Sequence, residues 1–168
     1  LNLALQRDGT VLINTLQIFG VNGIDPASVE QGLARARREL PHLVKFLREQ
    51  IPGFDQADLL DHAPMLYIRE TRHITGLYTL TPVDILAGRV FPDRIAAASY
   101  PIDIHPYVLG WSNPYAPVRH VHTIPFRSLV PLDVDNLLVA SRAFSATSEA
   151  AGSARVIPTT MAMGQAAG

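Results

Sequence analysis

The sequence predicts a mixed α/β fold, and three observations carry that expectation. Apolar residues Val29, Leu33, Ala36, Leu40, Leu43, Leu47 and Ile51 recur at steps of three and four, the stripe of a helix. Short apolar runs bounded by turn residues, too brief for helices, recur through the rest of the chain. The last third opens with the apolar run Asn136 to Ala140, breaks at Ser141-Arg142, passes through small residues, and reaches a small-residue helix opened by Pro158. Strand, polar turn and small-residue helix together make a place where backbone can approach a flat, charged ligand closely.

Taken in order, residues 1–19 read as two strands around Arg7-Asp8-Gly9-Thr10, because Asp-Gly between apolar alternations is a hairpin signal. Asp25-Pro26 supplies an N-cap and a first-turn proline for the striped helix. Arg35, Arg38, Lys45 and Arg48 lie off the stripe and form a solvated face. Pro41 removes one helix hydrogen bond and is expected to kink or split the helix, and Pro52-Gly53 ends it. A short helix is expected over Gln56 to His62, then strands over Met65 to Ile68 and His73 to Tyr78. Thr81-Pro82-Val83-Asp84 has the N-cap, proline and N3 acid that open a short helix to Ala87. Arg94 to His105 reads as extended, Trp111 to Pro117 as a loop, Val121 to Pro125 as a strand, and Pro131 to Asp135 as a turn. The expected division is a substrate-type domain over 1–126 and a returning piece of a nucleotide-binding domain over 127–168.

At 168 residues the chain is long enough for one core or two small ones. Its net charge of −1 points to no polyanionic partner, so no nucleic acid is expected. The absence of cysteine excludes disulfides and thiolate catalysis. No apolar run approaches the roughly twenty residues of a membrane span. No G-x-G-x-x-G follows a strand, and the final helix is unfinished, so a fragment of a longer chain is expected.

Six groups of residues could carry chemistry. The first turn of the last helix, Pro158-Thr159-Thr160-Met161, offers backbone N–H groups and the positive end of a dipole, which favour negative charge. Arg142 and Arg155 lie just past a strand and just before that helix, suited to an anion or to a surface pair with Asp135 or Glu149. Ser145 and Thr147 either bond a ligand oxygen or cap the local turn. In Arg69-Glu70-Thr71-Arg72, alternation puts Arg69 and Thr71 on one face and Glu70 and Arg72 on the other, as an anion-binding group or a structural ion pair. Asp103 and His105 alternate onto one side, where a carboxylate can orient an imidazole for proton transfer. His120 and His122 form an H-x-H pair that, with His105, would make a three-histidine metal site.

The blocks Tyr67 to Gly76, Tyr100 to His105, Ile124 to Pro131 and Asn136 to Gly168, in that order, resemble the C-terminal portion of FAD-dependent oxidoreductases with two dinucleotide-binding domains. More narrowly, they are similar to the xanthan-lyase-associated and fumarate-reductase-like subgroup. The resemblance implies FAD as cofactor, a small-molecule substrate, and hydride transfer between the two. It implies a Rossmann-like FAD domain whose last strand and helix are Asn136–Ala140 and the helix from Pro158, completed by a missing N-terminal FAD-binding segment. It places Ser141, Arg142, Ser145, Arg155, Thr159, Thr160 and Met161 at the cofactor, and His105, Asp103, Arg69 and Arg72 at the substrate. Ser141 and Ser148 stand where the family often has glycine and histidine. The alternatives are a non-catalytic binding domain with a flavoprotein-like core, or a metal-dependent enzyme using the histidines.

Overall fold

The Asp8-Gly9 turn closes a hairpin in the structure, a computed structural model that describes residues 2–105, 113–115 and 121–168. Gly9 takes φ +84°, a conformation that costs little only without a Cβ. The Asp8 carboxylate accepts from the backbone N–H of Thr10 at 3.0 Å and from its hydroxyl at 2.8 Å. Strands β1 (Asn2–Leu5) and β2 (Val11–Asn14) then pair antiparallel, with Leu5 opposite Val11. Helix α1 (Pro26–Gln50) starts where expected, with the Asp25 side chain accepting from Ala27 N–H at 3.0 Å. It runs unbroken through Pro41. The predicted stripe is its less exposed side, Leu47 being fully buried, while Arg35, Arg38, Lys45 and Arg48 are exposed.

Four predicted elements do not form. Gln56 to His62 holds only a turn, in which Ala57 N–H donates to the Phe54 carbonyl. Met65 to Ile68 and His73 to Tyr78 are irregular. The reason for the latter is a divided partnership. Ile74 N–H donates to Ala143, Leu77 to Val130, Tyr78 to Arg127 and Leu80 to Ser145, so the segment satisfies its backbone against two separate neighbours and builds a ladder with neither. Asn136 to Ala140 likewise forms no strand. Asn136 sits at φ +56°, and Val139 N–H makes a lone bond to the Leu129 carbonyl.

Helix α2 (Pro82–Leu86) has the expected capping box, with Thr81 and Asp84 each holding the other's backbone N–H. Strands β3 (Arg94–Ala98) and β4 (His122–Pro125) pair antiparallel, and a short 3-10 turn over Phe126–Ser128 follows. Asn113, in the predicted loop, donates to the Ile102 carbonyl at 2.6 Å. A helix the sequence reading lacked, α3 (Ser148–Ala154), precedes α4 (Ile157–Ala167), the predicted small-residue helix.

The chain is thus a mix of helices and small antiparallel sheets. It divides into two compact units, Leu1–Ile68 and Arg69–Gly168. Position 126 lies inside the second. There Leu80, Ile85, Phe91, Ile102 and Ile124 share one core with Leu129, Phe144, Ala150, Ala154 and Met163, and α4 packs on β3. No helix is long and apolar enough to cross a membrane, among the described residues.

Candidate active site

Asp103 is the meeting point of the predicted site residues. Nη1 of Arg69 carries two hydrogens. It donates one to Oδ2 of Asp103 at 3.1 Å and faces Nε2 of His105 at 2.7 Å. Arg155 brings a second guanidinium, whose Nη2 donates to the Asp103 carbonyl at 3.1 Å and to Oδ2 at 3.2 Å. Both arginines therefore hold Oδ2, and Oδ1 is left 3.4 Å from Nε2 of His105. Since Arg69 can only donate, Nε2 accepts the shorter contact, which puts the proton of the neutral ring on Nδ1. With that ring neutral, two guanidiniums around one carboxylate leave the cluster with one positive charge.

The remaining predicted residues fall elsewhere. Arg72 is exposed and lies outside the cluster. Glu70 does not pair with it. One Glu70 oxygen lies 2.9 Å from Nε2 of His73, and the other accepts from the Ser148 hydroxyl at 2.7 Å. This correction follows from the irregular course of the block, which does not keep the alternation of a strand. Ser145 is buried, with its hydroxyl 3.1 Å from that of Thr79. Ser141 accepts from Ala143 N–H within its own turn, and Arg142 is exposed. Thr147 caps α3, accepting from Ala150 N–H at 3.3 Å. His122 is buried on β4 with Nε2 3.4 Å from the Ser153 hydroxyl, while His120 lies outside the described residues. No group of three potential metal ligands occurs among the described residues.

Helix α3 is the element that positions the cluster. Its small side chains let it lie against the segment carrying Asp103. The Ser153 hydroxyl donates to the Tyr100 carbonyl at 2.5 Å. A Cβ on Gly152 would stand 2.9 Å from Ile104 and 3.1 Å from the Asp103 carbonyl oxygen. The sequence signal was present: Thr147 as N-cap, Glu149 in the first turn, then alanines. In an open helix Gly→Ala would gain about 1 kcal/mol. Here the methyl meets backbone, so Gly152→Ala is expected to destabilise by about 1–3 kcal/mol, as overpacking does. Urea denaturation of the variant reads this directly.

The first turn of α4 is left without a side-chain cap. Its N-cap is Val156, and the Thr160 hydroxyl turns back onto the carbonyls of Val156 and Ile157. Thr159 is buried, whereas Ile157 and Met161 are 73% and 69% exposed. Arg155, which bonds Asp103, is also the C-cap of α3 and so leads from this cluster to the uncapped start of α4. The sequence pattern of the family described as FAD dependent oxidoreductase matches residues 4–168, and the chain belongs to that family. No curated protein and no solved structure matches the chain.

FAD is accordingly the cofactor. The residues present fit it. The uncapped N–H groups at the start of α4 suit the electron-rich edge of a flavin. Exposed Ile157 and Met161 offer apolar surface to a ring, and the space around a Cβ at Gly164 is open.

Proposed function

We propose that this chain forms the substrate side and part of the flavin side of an oxidoreductase that moves a hydride between a small anionic organic substrate and FAD. When bound, FAD supplies the two-electron chemistry, and the protein supplies orientation and proton handling. The start of α4, residues 157–161, with Ser141, Arg142, Ser145 and Arg155 from the preceding turns, forms the cofactor side of this reading. The functional division expected at 126 becomes one between segments of a single core: 69–105 for the substrate and 141–168 for the flavin. The glycine-rich loop that holds a pyrophosphate does not occur in this sequence, so another segment is proposed to supply it.

The observation that carries the proposal is the convergence of Arg69, Asp103 and His105 on one atom, Nε2 of the imidazole. Arg69 holds a substrate anion by its fixed positive charge. An anion drawing Arg69 away uncovers the Nε2 lone pair. His105 then takes the proton that leaves as the hydride departs, and the new N–H donates to Oδ1 of Asp103. Substrate binding and base activation are thus one movement.

Anaerobic mixing of the FAD-loaded protein with small hydroxy and amino acids, beside their methyl esters, tests this. Acids are expected to bleach the visible flavin band, and esters are not. Arg69→Met should weaken the response to the acid about tenfold or more, the worth of a lost charged hydrogen bond. Esters and acids reacting alike, in both proteins, would remove the anion from the account.

A further inference from the structure

We infer that Arg155 is a positioning residue for proton transfer, acting through Asp103 rather than on the substrate. The inference rests on the reading of His105 as the proton carrier. Arg155 is only 10% exposed in its side chain, and its Nη2 is committed to one residue, bonding both the carbonyl and the carboxylate of Asp103. Gripping main chain and side chain together fixes the Asp103 rotamer in a way a single contact does not. The second guanidinium on Oδ2 is Arg69. With Oδ2 held by both guanidiniums and 3.5 Å from the Tyr100 hydroxyl, the carboxylate is kept from swinging, and Oδ1 stays toward His105 while Arg69 keeps Nε2 as an acceptor.

Removing Arg155 leaves Oδ2 to Arg69 and to the Tyr100 hydroxyl at 3.5 Å, and the carboxylate, no longer tied to its own main chain, rotates onto the ring and draws Arg69 off Nε2. Asp103 then accepts a hydrogen bond from Nε2–H, and the proton of the neutral imidazole moves from Nδ1 to Nε2. Arg155 thus decides which nitrogen of His105 is ready to take a proton. Its position at the C-terminal end of α3, just before α4, ties this choice to the helix start assigned to the flavin.

The test uses the intact, FAD-loaded protein with histidine labelled by 15N, read by NMR with the imidazoles neutral. Wild type is expected to show His105 as the Nδ1–H tautomer. In Arg155→Met the majority form should invert to Nε2–H, while the His73 signals, set by Glu70 and the Phe144 carbonyl, stay in place. Asp103→Asn should also lose the wild-type tautomer, and adding Arg155→Met to it should change nothing further, because both act through one carboxylate. Arg155→Lys, which keeps the charge without the fork, should fall between. An unchanged His105 tautomer in Arg155→Met overturns the inference. So does a change at His73 that accompanies the one at His105, since Arg155 would then support the fold at large. Failure here shows in the tautomer, whereas failure of the proposed function shows in flavin bleaching.

Discussion

His105→Ala in the FAD-loaded protein is expected to keep its flavin and to lose about a hundredfold or more in the rate of flavin reduction by substrate. That is the usual cost of deleting a general base. Retention of FAD follows from the geometry: His105 bonds Arg69 and Asp103, and neither its ring nor its backbone belongs to α4. Stopped-flow absorbance separates the two effects, because bound flavin and its reduction are read in the same band. Arg72→Ala is the companion variant. The sequence groups Arg72 with Arg69, but its side chain is exposed and apart from the cluster, so it is expected to reduce at the wild-type rate. Equal slowing in both variants would mean that charge near the site, rather than the imidazole, sets the rate.

Asp84→Ala is expected to be the most damaging substitution for stability in the second unit. The carboxylate is 2% exposed and accepts from Arg89 at 2.7 Å, the Thr81 hydroxyl at 2.8 Å, Thr81 N–H at 3.0 Å and the Tyr78 hydroxyl at 2.9 Å. Its loss removes the capping box and the acceptor of the Tyr78 hydroxyl, which is left with the Arg89 guanidinium at 3.2 Å, and leaves Arg89 without its carboxylate, a cost of about 3 kcal/mol. Burial raises the Asp84 pKa, but the hydrogen bonds from Arg89, Thr81 and Tyr78 together outweigh it and hold the group below its ordinary 3.8. Burial and the hydrogen bond to Asp84 push the Tyr78 hydroxyl the other way, to a raised pKa. Because the folded value of Asp84 is depressed, its contribution is complete above 3.8 and is lost as pH falls through the lower folded value. Urea midpoints measured downward from neutral pH should therefore fall below that point, and more gently in Asp84→Asn. A wild-type profile parallel to that of Asp84→Asn would contradict the assignment.

What the sequence made legible was local and periodic. The Asp8-Gly9 hairpin, α1 with its Asp25 cap and buried stripe, the Thr81–Asp84 box and the start of α4 are each specified by neighbours within a few residues. What it hid depends on distant partners. Residues 73–80 look like a strand because they are apolar and extended, yet their hydrogen bonds are shared between 127–130 and 143–145. Asn136 to Ala140 likewise has no ladder, and it is not buried as a strand would be: Asn136 and Leu137 are exposed and Leu138 to Ala140 only partly buried. At the site, alternation rightly brought Asp103 and His105 together. It failed in the Arg69–Arg72 block, where Glu70 turns to His73 and Ser148. Arg155, by its place before the helix, suits either an anion or a surface pair with Asp135 or Glu149. Its partner, Asp103, lies 52 positions earlier, a contact that only tertiary packing creates. Gly152 was missed because its function is the absence of a side chain.

The most direct test of the central claim is a crystal structure of the intact protein with FAD and a small carboxylate inhibitor. The flavin ring is expected against residues 157–161 at the start of α4, the carboxylate on Arg69, and Nε2 of His105 facing the bound molecule rather than Arg69. A flavin whose ring touches neither α4 nor the face carrying Asp103 and His105 would contradict it, and would leave the cluster as a structural ion-pair network.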